Sequence, residues 1–223
     1  MAKINFDAKN CVFNAPRSEI DIEQTIKKSR FIGSIRTILT EKDAASQIKE
    51  ISSLFPNATH YCWAYRIGIN DTLEHSSDDG EPSGTAGRPI LGALKKYSLD
   101  NTLLVVTRFF GGTKLGVRGL IDAYSETSEL TIEKAGHVEM EFHHLLQFTC
   151  GYDHSKTMTN TLRQLSIPEE RISVEYVADV KYSIEVPCSL RGEVTPLLEE
   201  MLARKLLTNL IWHEEPLIRA KLG

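Results

Sequence analysis

The sequence predicts an α+β protein of two domains, residues 1–136 and residues 137–223. The chain has 223 residues, which is more than one small domain, because a typical domain holds roughly 100 to 200 residues. Hydrophobic residues make up 41% and charged residues 25%, as in globular proteins with a packed core. The order of predicted elements changes after Gly136, and this change places the domain boundary there.

The first predicted strand and helix occupy residues 29–55, after an arm with no assigned element. Residues 29–39 contain isoleucines spread among small and polar residues, which indicates a strand. Thr40-x-x-Asp43 approximates a capping box, and Pro56 ends the helix that follows. We expect this helix to cover a sheet with its apolar residues, Ala44, Ile48, Ile51 and Phe55.

A second strand, a long loop and a short helix are predicted over residues 60–97. Residues 60–69 alternate between two faces, as in a strand. Residues 71–84 are almost entirely polar and are predicted to form a loop. The helix that follows ends near Tyr97 and contains Pro89, which fits only in a first turn.

The domain then contains a compact apolar run and its longest helix. Residues 103–106 are all apolar, which is typical of a buried strand. A Gly-rich segment follows it, and a helix begins after Gly119 and continues to Gly136. Two Gly-rich segments therefore precede helices in this domain, and the free backbone N–H groups of a helix start suit an anion.

The remainder of the chain shows the order β-α-β-β-α-β, which is that of the ferredoxin-like motif. We expect Asp153 or Ser155 to cap its first helix. The predicted elements are strand 139–150, helix 153–165, strands 172–177 and 181–187, helix 189–207 and strand 209–214.

Charge and cysteine usage limit the classes of partner and compartment. Through Gly136 there are 17 basic and 17 acidic residues, and 9 and 13 after it, so the net charge of −4 lies in the second domain. An RNA contact therefore needs a local basic patch. Without a long apolar run or a signal-peptide pattern, we expect a cytoplasmic protein with no membrane contact. The isolated cysteines, Cys11, Cys62, Cys150 and Cys188, are expected to be reduced thiols.

Residues 78–89 form the densest group of polar and glycine residues in the chain. One interpretation is a loop that binds a ligand or partner, since long loops in compact domains are usually functional. The other is a solvated Ω-type loop in which Thr85 caps the next helix.

The carboxylates of this segment, Asp78, Asp79 and Glu81, could hold Mg²⁺. They lack the spacing of a calcium loop, however, and no Walker lysine follows them. Ser83 does not lie in G-x-S-x-G, so a nucleophile elbow is not indicated. Neither a metal site nor a hydrolytic serine is therefore predicted.

Residues 108–119 form the second Gly-rich segment. Gly111-x4-Gly116 resembles a phosphate loop, but Val117 and Arg118 stand where Lys and Ser or Thr belong. What remains is a flexible loop that could stack bases and contact phosphates with Arg108, Lys114 and Arg118 beside two phenylalanines. The alternative is a tight turn with one phenylalanine in the core.

His60 and Cys62 lie two residues apart on a predicted strand and face the same way. A Cys-His pair or half of a metal site is geometrically possible, and so is a packed thiol beside a hydrogen-bonded histidine. His143 and His144 are adjacent and point to opposite faces, so they form no comparable pair.

Three blocks of sequence, residues 58–65, 78–91 and 110–116, together resemble the IMPACT/YigZ family. The resemblance covers residues 19–135 as an Impact N-terminal domain. The remainder resembles the smaller C-terminal domain of the bacterial YigZ branch. It implies an N-terminal α/β sandwich similar to the second domain of a small-subunit ribosomal protein, and a C-terminal domain similar to those near the end of elongation factor G.

The resemblance also implies a link to translation, because eukaryotic relatives compete for the activator of a kinase that phosphorylates an initiation factor. Bacterial relatives have no settled activity. Arg118 stands where the family pattern has a small residue. The binding positions that the resemblance implies, none with a catalytic role, are His60, Cys62, Asp78, Asp79, Glu81, Ser83, Thr85, Arg88, Arg108, Gly111, Gly112, Lys114 and Gly116.

These observations predict a non-enzymatic regulator or binding protein without a cofactor or metal. It would contact RNA, the ribosome or a translation-associated protein through its two Gly-rich loops. The alternative is an enzyme for a phosphorylated or acyl substrate, with Asp78, Asp79 and Glu81 as metal ligands or acid/base groups. In that case the helix start near Thr85 would receive the anion.

Overall fold

The computed structural model describes residues 11–69 and 72–221, and it confirms the two-domain α+β class. One unit is Phe13–Glu139, and the other is Met140–Gly223 together with the N-terminal segment that ends at Val12. The predicted boundary after Gly136 stays a prediction. The chain divides into its two units between Glu139 and Met140. The N-terminal stretch judged to lack a signal peptide lies outside the described residues.

The first unit contains a five-stranded antiparallel sheet in the order β2-β3-β6-β4-β5. A preceding strand, β1 (Val12–Pro16), spans the division between the units. The sheet strands are β2 (Ile20–Ile26), β3 (Ser29–Thr37), β4 (His60–Ile67), β5 (Leu73–Ser77) and β6 (Thr102–Phe109). The central strand β6 is buried on both faces, as its apolar run predicts.

Helices cover both faces of this sheet. The first, α1 (Glu41–Leu54), packs Ile51 against Leu103 and Val105, while α2 (Gly87–Lys96) and α3 (Gly116–Ala135) pack on the opposite face. Alternation along β6 produces the two cores, because successive side chains of a strand point to opposite faces. The predicted cover of the sheet by α1 is confirmed.

The first helix begins at the capping box that the sequence predicts. The Thr40 side chain accepts a hydrogen bond from the backbone N–H of Asp43 at 3.1 Å. The Asp43 carboxylate in turn accepts one from the backbone N–H of Thr40 at 2.9 Å. These reciprocal bonds satisfy two of the donors that a helix start leaves unpaired.

The longest helix, α3, approaches the sheet closely at one point. A Cβ atom at Gly33 of β3 would lie 1.9 Å from the Thr131 hydroxyl oxygen, so only glycine permits this contact. The predicted start after Gly119 is wrong by one turn, because α3 begins at Gly116. The loop before α3 is correspondingly shorter than predicted.

Two parts of the first unit differ from the sequence prediction. The polar residues predicted to form a loop include β5, which pairs with β4 at the sheet edge. Residue 71 of that predicted loop lies outside the described residues. The N-terminal arm contains β2, whose half-buried and exposed residues alternate. Both are edge strands, where a polar side chain meets water and the apolar signal is therefore weak.

The second unit has the predicted β-α-β-β-α-β order. It consists of β7 (His137–Cys150), α4 (Tyr152–Gln164), β8 (Ile172–Tyr176), β9 (Val180–Pro187), α5 (Arg191–Ala203) and β10 (Thr208–Ala220). Its strands run β10-β7-β9-β8, and the core lies between this sheet and the two helices. The predicted cap at Asp153 or Ser155 is wrong, because α4 starts after Gly151 without a side-chain cap.

The expectation of four reduced cysteines is also wrong, because Cys11 and Cys188 form a disulfide with a Cα–Cα distance of 6.0 Å. Cys11 accepts a backbone hydrogen bond from Phe142 of β7, and His143 pairs with Pro187 of β9. Strand pairing thus brings together cysteines that are 177 residues apart. Cys62 and Cys150 are free and buried.

Among the described residues, no helix combines the length and the apolar character needed to cross a membrane.

Candidate functional site

Two loops of the first unit carry most of the predicted site residues. The first Gly-rich loop, residues 78–86, connects β5 to α2, and the second Gly-rich loop, residues 110–115, connects β6 to α3. Both loops end at the N-terminus of a helix, where backbone N–H groups lack helical partners. Their side chains determine what each terminus can bind.

The N-terminus of α2 is occupied by a carboxylate of the chain itself. One oxygen of Asp78 accepts hydrogen bonds from the N–H groups of Ala86 at 3.0 Å and Gly87 at 2.8 Å. The other oxygen accepts one from Gly84 at 2.8 Å. Burial raises the pKa of Asp78, but these N–H groups and nearby Arg88 outweigh it, so the pKa lies below its ordinary value.

The predicted anion site near Thr85 is therefore not open, because Asp78 already holds these donors. Thr85 does not cap the helix either, since its hydroxyl donates to the carbonyl of Pro82 at 2.7 Å. Asp78 and Thr85 instead stabilise the conformation of the first Gly-rich loop through these hydrogen bonds.

The other two carboxylates point to different partners. Asp79 accepts a hydrogen bond from the backbone N–H of Tyr61 at 2.6 Å. Glu81 has 3% side-chain exposure and contacts Arg108 at 2.5 Å, while the Tyr124 hydroxyl donates to it at 2.9 Å. Within residues 11–69 and 72–221, no group of three His, Cys, Asp or Glu side chains is placed to hold a metal ion.

Arg108 lies in the core and not on a flexible loop, which corrects the sequence prediction. It is 5% exposed, pairs with Glu81, and donates to the hydroxyl of Ser29 at 3.3 Å. Its guanidinium also lies 5.4 Å from the ring centre of Phe31 and 5.5 Å from that of Phe110. Its Nε has no hydrogen-bond acceptor among the described residues.

His60 and Cys62 both contact the first Gly-rich loop, but at different residues. Nδ1 of His60 lies 2.7 Å from the carbonyl of Asp79, and Nε2 lies 3.9 Å from Glu81. The Cys62 thiol donates to the carbonyl of Asp78 at 3.0 Å.

Burial raises the pKa of Cys62, its hydrogen bond with Tyr124 opposes this, and nearby carboxylates raise it further, to about 12. The thiol therefore stays protonated at neutral pH and is a poor nucleophile. This arrangement supports the interpretation of a packed thiol beside a hydrogen-bonded histidine.

Tyr124 of α3 belongs to this cluster and is not among the site residues that the sequence predicts. Its hydroxyl bonds Glu81 and lies 3.3 Å from the sulfur of Cys62, and burial raises its pKa. A buried tyrosine needs a partner for its hydroxyl. That requirement is the sequence signal that could have identified it.

The two Gly-rich loops meet at a pocket of about 340 Å³. Glu81, Arg108 and Lys114 contribute its charged lining. Lys114 lies on the second Gly-rich loop, and Gly116, which also lines the pocket, starts α3. The rest of its lining is apolar, formed by Pro82, Phe110, Leu115, Val117 and Leu120. Phe110 is 47% exposed and Val117 is 61% exposed, so solvent reaches the pocket.

The N-terminus of α3 differs from that of α2. No side chain of the described residues caps it, and its first turn has no acidic residue. The backbone of Leu115 has the right-handed helical conformation, whereas Gly116 has a positive φ of +76°. Such a change of backbone conformation between neighbouring residues points successive N–H groups to one side. Arg118 lies in the first turn, exposed and paired with Asp122 at 3.0 Å.

The structure thus brings together only part of the predicted set. Four members line the pocket, whereas His60 and Cys62 contact the first Gly-rich loop without lining it. Gly111 donates from its backbone N–H to the hydroxyl of Ser29 at 3.3 Å, which ties the second Gly-rich loop to β3. Ser83, Arg88 and Gly112 are exposed.

Comparison with known proteins shows that the part of the chain that carries this site is similar to one family. A model of the Impact N-terminal domain matches residues 27–132. The IMPACT family member YvyE of Bacillus subtilis is 44% identical over 142 residues, which are 64% of this chain and 65% of that protein. YigZ of Escherichia coli is 36% identical over 111 residues, 49% of this chain and 54% of that protein. The match thus spans between half and two thirds of these relatives' lengths.

A solved structure extends the likeness to both units. The crystal structure of a hypothetical protein is 27% identical, with a TM-score of 0.63. The match covers 90% of this chain and 97% of that one.

Proposed function

Because this chain belongs to the IMPACT family, we propose that it regulates translation by binding RNA of the ribosome through its two Gly-rich loops. The resemblance to eukaryotic relatives that act in translational control supports the link to translation. Protein IMPACT of Homo sapiens is 30% identical over 119 residues, which are 45% of this chain. The choice of RNA rests on the surface around the second Gly-rich loop.

An exposed aromatic ring, with a lysine on the same loop and two lysines in the adjoining turn, is the observation that carries this proposal. Phe110 is half exposed, and Lys114 is exposed on the same loop. Lys27 and Lys28 lie in the turn that precedes Ser29, the residue to which this loop is tied. None of these lysines forms an ion pair within the described part of the chain. Bases stack on aromatic rings and phosphates bind cations, so this surface suits unpaired RNA.

Binding is favoured over chemistry by how the reactive groups are used. Asp78 and Asp79 bond backbone N–H groups, Glu81 pairs with Arg108, and Cys62 is protonated. The enzymatic alternative requires these carboxylates to converge on one substrate or metal. Their side chains diverge instead, which leaves that alternative without its proposed acid/base groups.

Cosedimentation with ribosomal subunits at increasing salt tests the proposal. We expect Lys27→Ala, Lys28→Ala and Lys114→Ala together to weaken binding and to reduce the salt dependence, by about 0.7 to 0.9 in logarithmic slope per lost phosphate contact. A matched triple change at the exposed Lys42, Lys49 and Lys156 should have no such effect.

Failure to bind at low salt contradicts the proposal, and so do equal effects of the two triple variants. Binding that does not depend on salt indicates a protein partner and overturns the choice of RNA.

A further inference from the structure

We propose that the pocket between the two Gly-rich loops binds one unpaired nucleotide, with the phosphate at the N-terminus of α3 and the base against Phe110. This inference rests on the proposed function, since ribosomal RNA would supply the nucleotide. A free mononucleotide has the same chemistry and serves as a probe.

The start of α3 supplies the phosphate site. A helix of 20 residues carries a positive dipole end here, and no side chain of the described residues caps it. The alternation of Leu115 and Gly116 points neighbouring N–H groups to one side, as in anion-binding nests. Lys114, exposed beside them, adds a full positive charge.

Arg108 provides an independent indication that the pocket takes an acceptor. It lines the pocket, is 5% exposed, and its Nε lacks an acceptor among the described residues. An unsatisfied buried donor is costly and calls for an explanation, of which an acceptor bound beside it is one. Glu81 balances the charge of Arg108, so with Lys114 the lining has a net charge of +1. That charge complements a phosphodiester.

The size and lining of the pocket select a nucleotide over a bare anion. Pockets for small molecules measure about 300 to 1,000 Å³, so about 340 Å³ is room for one small ligand. The apolar side chains, including Leu115 and Leu120, would gain nothing from inorganic phosphate. A base can stack on Phe110, and only an unpaired base is free to do so.

Two matched valine substitutions test the site. Val117→Asp places a carboxylate in the first turn of α3, at a position 61% exposed, where it acts as an internal anion. Val177→Asp adds the same charge at a position 64% exposed in the other unit. Calorimetric titrations use adenosine 5′-monophosphate, inorganic phosphate, a short single-stranded oligoadenylate and a blunt RNA duplex.

We expect the monophosphate to bind Val177→Asp with the same affinity as it binds the wild type, and we expect the same of the oligoadenylate. Val117→Asp should weaken both by about tenfold or more, since it fills the terminus with negative charge. Phe110→Ala should weaken both by about fivefold to a hundredfold, the range for loss of one base stack. Inorganic phosphate and the duplex should bind much more weakly. A readout by circular dichroism confirms that each variant is folded.

The inference is overturned if neither nucleotide probe binds, if Val117→Asp binds like Val177→Asp, or if phosphate alone binds as tightly as the monophosphate. Ribosome binding that needs the three lysines and Phe110 but is insensitive to Val117→Asp contradicts the pocket and leaves the proposed function standing. The reverse result, nucleotide binding without ribosome binding, contradicts the proposed function and leaves the pocket standing.

Discussion

The N-termini of α2 and α3 follow loops of similar composition, yet one is filled and the other is open. At α2, Asp78 accepts three backbone hydrogen bonds. At α3, no side chain of the described residues caps the helix and the first turn has no acid. A Gly-rich loop before a helix therefore predicts an anion site only where the chain does not provide the anion itself.

The two termini also share the charged pair that lies between them. Glu81 comes from the loop before α2, and Arg108 comes from the end of β6, just before the loop that leads to α3. The pair lines the pocket without neutralising Lys114. One loop is thus used to build the fold, and the other retains a net positive charge toward solvent.

The largest effect should follow from removing the pair that joins the two loops. Arg108→Ala leaves the Glu81 carboxylate buried without its partner, which costs about 3 to 5 kcal/mol. Urea denaturation measures this loss in the free energy of unfolding. Arg88→Ala, at an exposed position, serves as control and should change stability by no more than about 0.5 kcal/mol. Equal losses in the two variants would mean that the pair contributes nothing beyond a surface charge.

The second effect concerns the filled terminus. Asp78→Ala removes the acceptor of three N–H groups, and we expect the free energy of unfolding to fall by about 2 kcal/mol. The exposed pair of Asp122 with Arg118 offers a comparison, because Asp122→Ala should cost less than about 1 kcal/mol. A loss at Asp78 no larger than that at Asp122 would remove the distinction between the two termini.

The stabilisation by Asp78 should also depend on pH. The pKa of Asp78 is lowered in the folded state, so its stabilisation is complete above the unfolded pKa of about 3.9 and is lost as pH falls through the folded value. The stability difference between the wild type and Asp78→Ala should therefore be constant near neutral pH and shrink below about pH 4. Urea titrations at several pH values measure it, and a difference that grows in acid contradicts the assignment.

The smallest effect has the opposite sign and concerns the open terminus. Val117→Asp gives α3 the acidic residue that its first turn lacks, and should raise the free energy of unfolding by about 0.5 kcal/mol. Val177→Asp should leave it unchanged. A gain in stability together with a loss of nucleotide binding separates the binding role of this terminus from its structural one.

Local signals in the sequence predict much of the fold. The Thr40 and Asp43 capping box identifies the start of α1, and apolar periodicity identifies the elements of the second unit. The sequence does not predict the edge strand β5, because Leu73–Ser77 contains one apolar residue and has no clear alternation. The sequence does not indicate the Cys11–Cys188 disulfide, because its partners are distant in sequence and meet only through strand pairing.

The candidate site was located by composition, but the roles of its residues were not. The carboxylates, hydroxyls and cations of the two loops look equivalent in sequence. Burial separates Arg108 from Lys114, and long-range contact assigns Tyr124 to Glu81. The identity of the backbone donors separates Asp78, which bonds the start of α2, from Asp79, which bonds Tyr61 of β4. These distinctions depend on tertiary packing, which residue type and spacing do not encode locally.

A tilt of α3 about its close contact between Gly33 and Thr131 would displace the start of the helix. Thr131 lies about 22 Å along the helix axis from Gly116, at 1.5 Å per residue. A tilt of about 5° pivoting at that contact would therefore move the open terminus by about 2 Å, more than a hydrogen bond tolerates. Substitutions at the far end of α3 can thus alter the proposed nucleotide pocket without contacting it.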